Sequence, residues 1–235
     1  MKRFYTDVTV AACQGGFGLA LDGRPVKTPK RAMLLLPNVA LAEAVADEWR
    51  AQSGDIAPEA MRLTGLANAA IDHVAPDPAA FALAMARYAE SDLLCYRAEH
   101  PLDLVERQAS AWDPPLRAVE ARFDVRFARS TGVQFVSQPP LTIERIGEAY
   151  GALDAWVLAA MQPIVSITGS AILGLALLEG LSEAGAVLSA GMLDEHYQIE
   201  KWGDDPIALD ARESREVAFA AAVRFLAAVK GIDGC

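Results

Sequence analysis

The sequence predicts an α+β protein: a small N-terminal β-rich domain over residues 1–60 with one covering helix, then a larger all-helical domain of orthogonal-bundle type over 61–235. Three observations predict this. Apolar residues make up 53% of 235 and charged residues 22%, enough to bury a sizeable core in one large or two modest domains. Before residue 60, short β-leaning runs are broken by Gly and Pro. After Pro58 those runs nearly vanish and helical patterning takes over.

In chain order, RFYTDVTVAA, FGLAL, PVKT and MLLL are separated by GGFG, DG and Pro, the punctuation of hairpins in a meander. Asn38 is placed to cap the helix VALAEAVADEW, whose Leu41, Ala44, Val45 and Trp49 supply an apolar stripe for one sheet face. Helices are then expected over 63–72, 78–96, 102–123, 142–161, 163–180, 182–202 and 210–230. In the last, Asp210 and Glu213 are spaced like a capping box. The break near residue 162 is assigned to Pro163, which removes an amide donor and crowds the preceding turn. DVRFARST, 124–131, reads as a short extended connection. No repeat at fixed period is present, which excludes a solenoid.

A net charge of -10 without a long acidic run favours solubility and opposes binding to nucleic-acid phosphates or anionic lipid. Cys13, Cys95 and Cys235 are odd in number and far apart, which suits neither a disulfide framework nor a zinc motif and points to a reducing compartment. The opening MKRFYTDV has no apolar signal region and no visible basic transit peptide, so the protein is expected to act where it is made or to be already processed. Residues 155–178 carry no formal charge over a length that could cross a bilayer. Gln162, Pro163, Ser166, Thr168 and Ser170 interrupt them, and the segment is read as buried core, without stable membrane insertion.

Enzyme motifs are scarce. GGFG lacks a following helix and a Lys-Ser/Thr pair, so it reads as a hairpin turn rather than a phosphate loop. Cys95 lies five residues before His100, a conceivable nucleophile pair, but Cys is commonly a small core residue. Glu90 and Asp92 are too close in sequence to share a helix face. Lys27, Lys30 and Arg31 read as a solvated hairpin face.

The stretch MLDEHYQIEKWGDD, 192–205, sets carboxylates beside a histidine and an indole, and admits a metal site, an acid/base site or a docking surface. On a helical wheel Met192, Leu193, His196, Tyr197 and Ile199 share one side, and Asp194, Glu195, Gln198 and Lys201 the other. Glu200 falls among the apolar group, where an ionised carboxylate needs an Arg or several donors unless it reaches water at the helix end. A metal would need more than His196 and Glu200, and the chain has only three His. An exposed acidic face beside Trp202, an aromatic of the type enriched at interface hot spots, is the reading that remains.

These segments also carry a resemblance. KRFY (2–5), LDGRPVKTP (21–29), LAEAVADEW (41–49), MRLTGLANAAID (61–72), ESDLLCYRA (90–98), QASAWDP (108–114) and LDEHYQIEKWG (193–203) resemble, in order and over nearly the whole chain, the chaperones that assemble the F1 sector of ATP synthase by holding its unassembled alpha subunit, the type numbered twelve in the common naming. The resemblance implies a small α+β domain followed by a helical one, no chemistry, and partner binding through the last segment, with Glu195 and Glu200 leading. His196 departs from the family, which more often has an acid there, and so does the DDP after Gly203.

The resulting expectation is a chaperone that shields the alpha subunit until beta replaces it. Glu195, Glu200, Trp202, Asp194 and Gln198 are its partner-binding residues, and no catalytic residue, cofactor, metal or nucleic acid is involved. The resemblance implies action in the mitochondrial matrix, for eukaryotic relatives, or in alphaproteobacterial cytoplasm; an opening Met without a presequence favours the bacterial cytoplasm here, and a monomer is expected when the chaperone is free. The rival is a hydrolase-like enzyme using a buried Glu200 carboxylate or Cys95.

Overall fold

The computed structural model describes residues 2–132, 134–203 and 206–231. Its N-terminal sheet is organised on one strand. β1 (Val8–Cys13) and β2 (Gly16–Leu21) form an antiparallel hairpin running from Val8 opposite Leu21 to Cys13 opposite Gly16. β2 also pairs with β3 (Arg24–Pro25) through Ala20 and Leu21, and with β4 (Leu35–Leu36) through Phe17 and Gly18. Gln14 and Gly15 make the hairpin turn, and the rest of GGFG runs into β2. Gly15 has φ +93°, and a Cβ on Gly16 would stand 2.4 Å from the Leu36 carbonyl oxygen, so β4 can approach only a glycine here.

α1 (Val39–Arg50) covers this sheet, and Asn38 caps it by accepting from Leu41 N–H at 2.8 Å. The buried stripe is Leu41, Ala42, Val45 and Ala46. Ala44 and Trp49, expected in it, are only half-buried. Trp49 meets the Tyr5 ring at 5.8 Å, and the Tyr5 hydroxyl donates to the Trp49 carbonyl.

α2 (Arg62–Ala69) has no cap of its own. Glu48 of α1 supplies one, accepting from the Leu63 and Thr64 amides and the Thr64 hydroxyl at 2.7 to 2.8 Å. The π-helical turn that follows holds Asp72, buried, where it accepts from the Thr28 hydroxyl and the Lys30 amide while the Lys30 ammonium donates to the Asp72 carbonyl. Lys27, Lys30 and Arg31 are exposed, as expected of a solvated face, and Lys30 in addition ties the sheet loop to this turn.

The remaining elements are α3 (Pro78–Ala86), β5 (Tyr96–Arg97), α4 (Leu102–Phe123), β6 (Ser130–Thr131), α5 (Pro140–Gly151), α6 (Ala155–Thr168), α7 (Ala171–Leu178), α8 (Ala184–Gly191), α9 (Leu193–Trp202) and α10 (Pro206–Lys230). α4 matches its expected span; the 124–131 connection leaves it through Asp124 in the left-handed region (φ 51°) and ends in β6, parallel to β5. Five expected boundaries move. The helix expected over 142–161 ends at Gly151, and α6 starts afresh at Ala155. The helix expected over 78–96 stops at Ala86, and Asp92 is extended (φ -61°, ψ 136°) because its carboxylate is drawn inward to donors on α7. Pro163 lies inside α6; the break comes instead at Gly169 (φ +65°) and Ser170, whose hydroxyl caps α7 at Leu173. The helix expected over 182–202 splits at Met192. α10 begins at Pro206, ahead of Asp210, so the proposed capping box is not its start. Among the described residues no helix is long and apolar enough to cross a membrane.

The composition divides at residue 60, while contacts group the chain into two compact units. One comprises 1–78, 154–161 and 220–235, with Leu36, Leu41, Val45, Leu158 and Phe225 fully buried. The other comprises 79–153 and 162–219, with Leu94, Trp112, Leu116, Ile146 and Tyr150 fully buried. Asp204, Asp205 and Cys235 lie outside the described residues.

Candidate functional site

α4 and α9 face each other within the second unit. α4 presents Asp103 and Arg107, one turn apart on the same side of the helix. Arg107 donates through both terminal nitrogens to Glu200, at 2.6 and 3.1 Å, in the forked arrangement that suits a carboxylate. Asp103 accepts from the Tyr197 hydroxyl at 2.8 Å and pairs with the Lys201 ammonium at 3.1 Å. Both cations lie over the buried Tyr197 ring, Arg107 at 5.2 Å and Lys201 at 5.0 Å from its centroid.

Further along α9 the contacts continue. Gln108 donates to Asp194 at 2.8 Å and accepts from the Ala98 amide. Glu195 takes both oxygens' worth of contact from Arg215 of α10, at 2.6 and 2.7 Å, with Arg212 at 3.5 Å. Beneath α8, Trp112 donates its indole N–H to the Ala190 carbonyl, and Gly191 lies against Thr168, where an added Cβ would be 2.8 Å from the Thr168 Cβ.

These pairings fix the electrostatics. The Arg107 guanidinium holds the Glu200 carboxyl below its ordinary value, and the Tyr197 hydroxyl, followed by Lys201, does the same for Asp103. Burial, followed by the hydrogen bond to Asp103, raises the Tyr197 phenol. Carboxyls held down in this way are standing charges near neutral pH, not proton donors.

The helical wheel placed the acids on an exposed face, and the structure corrects that placement. Asp194 and Glu195 are half-buried against α4 and α10, whereas His196, set on the apolar side, is exposed. Glu200 is at once in contact with an arginine and open to water, its side chain 51% exposed. It is therefore not the buried carboxylate that the hydrolase reading requires. Cys95 fails that reading for the opposite reason: it is fully buried, and burial followed by the Asp92 charge pushes its thiol up to about 12. Among the described residues no group of three or more His, Cys, Asp or Glu could hold a metal ion.

Three of the five residues expected to bind a partner meet in one groove. Asp194, Gln198 and Trp202 line a depression of about 360 Å³ together with Tyr96, His100 and Leu104. Trp202, at the end of α9, is 79% exposed. Glu195 and Glu200 are not in its lining; they fasten the helix that carries it. Sequence reasoning missed Asp103, Arg107, Gln108 and Arg215. A signal existed for the first two: an acid and a base at i, i+4 in LDLVERQ are what a carboxylate on an apolar helix face would need opposite it.

Comparison with known proteins adds the following. The model of a family described as ATP12 chaperone protein matches residues 2–120. Protein atp12, mitochondrial, of Schizosaccharomyces pombe is 26% identical over 86% of this chain and 74% of its own. Among solved structures, Atp12 from Paracoccus denitrificans is 37% identical with TM-score 0.93, covering 97% of this chain and 98% of that one. A putative chaperone from Agrobacterium tumefaciens, Atu1473, is 40% identical with TM-score 0.91, over 96% and 85% of the two chains.

Proposed function

The chain belongs to the ATP12 chaperone protein family, and from that premise we propose that it assists assembly of the F1 sector of ATP synthase by holding the unassembled alpha subunit until beta takes its place. A free alpha subunit exposes apolar surface that its neighbours later cover, and such surface aggregates unless shielded. The observation that most supports this reading is Trp202: a large indole, 79% exposed, at the rim of a groove on a helix that is itself fastened at both ends by charged pairs. An exposed aromatic on a rigid support has the form of an interface anchor. Asp194 and Gln198 border it and would set the register of a polar rim. Glu195 and Glu200 serve the contact chiefly by holding α9 in place. We take it to act in a bacterial cytoplasm as a monomer when free; the greater identity to the bacterial structures than to the mitochondrial relative supports the bacterial part of that reading.

Size-exclusion chromatography of this chain with freshly prepared F1 alpha subunit tests the proposal. A mixed peak that dissolves when beta is added is expected. No mixed peak, with alpha aggregating as fast as it does alone, would sink it. Glu200→Lys should stay folded and lose the mixed peak, because it sets a third cation beside Arg107 and Lys201. The exchanged pair Arg107→Glu with Glu200→Arg separates two roles. Recovery of binding means that the pair positions α9; no recovery means that the Glu200 charge meets the alpha subunit itself.

A further inference from the structure

A second groove lies away from α9. It has a volume of about 520 Å³ and is lined by Glu90, Phe135, Ser137, Gln138, Ile143 and Glu144, with Pro140 at its edge. Three pieces of chain build it: the 3-10 turn Arg87–Ser91, the segment that precedes α5, and the first turns of α5. A depression of this size accommodates one or two bulky side chains.

The segment carrying Phe135 is tied down at its base. The Gln138 carboxamide both accepts from the Ala128 amide and donates to the Ala128 carbonyl, each at 2.9 Å, closing the loop as a strand pair would. The Thr142 hydroxyl donates to the Arg126 carbonyl at 2.7 Å, and Arg145 donates to the Asp124 carboxylate and carbonyl. Phe135 nonetheless stands 68% exposed on this closed loop, and Leu141 in the first turn of α5 is 52% exposed. A single exposed apolar residue needs no explanation, but an aromatic that lines a groove with Ile143 and Pro140 is a surface the fold itself does not use.

The charged residues that line it have one sign. Glu90 and Glu144 are exposed, and among the described residues neither has an ion pair or side-chain hydrogen bond. Arg145, next to Glu144 in sequence, is engaged by Asp124 at 2.7 Å. This contrasts with α9, where each acid already has a donor. Two free carboxylates flanking an apolar floor are complementary to a cationic side chain that stands near a bulky apolar one, and the net charge of -10 favours the approach of such a segment.

We propose that this groove is a second docking surface for the client subunit, taking a polypeptide segment in which a Lys or Arg flanks a bulky apolar side chain. The inference rests on the reading above that the client is the F1 alpha subunit. Two separate grips on one client give a complex tighter than either alone, provided that both engage at once.

The test is a fluorescence titration of the full chain with F1 alpha subunit at low and moderate salt. Wild type, Phe135→Ser, the double variant Glu90→Lys with Glu144→Lys, and Trp202→Ala are compared, with circular dichroism and melting temperature as folding controls. Phe135→Ser and the charge-reversed pair should each weaken binding about ten-fold or more with melting unchanged, and the charge-reversed pair should also lose most of the salt dependence seen in wild type. Wild-type affinity retained in both, while Trp202→Ala weakens binding, overturns this second surface and leaves the chaperone reading intact. No binding by wild type overturns the chaperone reading and this inference with it. A dimer of the chain alone in sedimentation equilibrium that Phe135→Ser dissolves assigns the groove to a second copy and overturns the inference.

Discussion

Asp92 is the acid whose surroundings make the firmest quantitative claim. It is fully buried, one carboxylate oxygen accepting from the Leu94 amide at 3.0 Å and the Ser170 hydroxyl at 2.7 Å, the other from the Ile172 amide at 3.0 Å. Desolvation outweighs these donors and raises the carboxyl from 3.8 to about 6. A raised folded-state value means that the folded protein binds the proton more tightly than the unfolded chain. This contribution to stability is therefore complete below pH 3.8 and declines as pH rises through 6. The full change is about 3 kcal/mol at 1.36 kcal/mol per unit, of which about 1.3 kcal/mol falls between pH 5 and 7. Asp92→Asn removes the titration. It turns an amide donor toward the Ile172 N–H, so it carries a constant penalty of about 1–3 kcal/mol besides. Urea unfolding of wild type and Asp92→Asn, followed by circular dichroism at pH 4, 5, 6 and 7, should show the advantage of wild type shrinking as pH rises. A gap that stays flat, or widens with pH, would refute this balance and show that the three donors overcome burial.

Two further outcomes follow from packing and exposure. Gly191→Ala drives a methyl to within 2.9 Å of the Thr168 backbone and should lower stability by about 1–3 kcal/mol in the same urea assay, since α8 must shift away from Thr168. Peptide mass spectrometry after iodoacetamide treatment of the native protein should find Cys13, which is exposed, alkylated and Cys95 untouched until urea unfolds the chain. Alkylation of native Cys95 at the rate of Cys13 would return it to consideration as a nucleophile.

How much of this was legible in the sequence depends on whether the signal was local. The β2-centred sheet, the Asn38 cap and the span of α4 are all written in short-range pattern: Gly turns, a capping residue before an apolar period, a long stripe. The break between α6 and α7 differs from the expected one because proline is the stronger punctuation in sequence but not in this fold. One lost amide at Pro163 is tolerated in a helix anchored by the buried Leu158, Met161, Ile164 and Val165, whereas Gly169 at positive φ, with Ser170 ready to cap, redirects the chain. Asp92 misled for a different reason. ESDLLC is helix-compatible in isolation, and only the α7 amides, some eighty residues on, explain why the chain turns there. For α9, the sequence identified a crowded, charged helix beside Trp202, but not the partners of its acids. Arg107 and Arg215 come from two other helices, and no periodicity within 192–205 could name them.

Those partners bear on how a chaperone of this design would let go. An acid that must leave Arg107 or Arg215 before it can meet a partner's cation returns little net energy, because one charged hydrogen bond is exchanged for another. On the proposed reading, α9 therefore contributes position rather than strong charge attraction. The grip falls to Trp202 and its groove on one side and to the unpaired Glu90 and Glu144 around Phe135 on the other. Apolar contact of that limited extent is what an incoming beta subunit, offering a larger surface to the same region of alpha, can outcompete. The consequence separates two designs by a rate. If pre-pairing weakens the hold of α9, then Arg215→Ala, which frees one side of Glu195, should slow release of the alpha subunit when beta is added, provided that circular dichroism shows α9 still in place. Release at the wild-type rate would mean that Glu195 plays no part in the grip, and faster release would mean that the Arg215 contact is needed to hold α9 against the client.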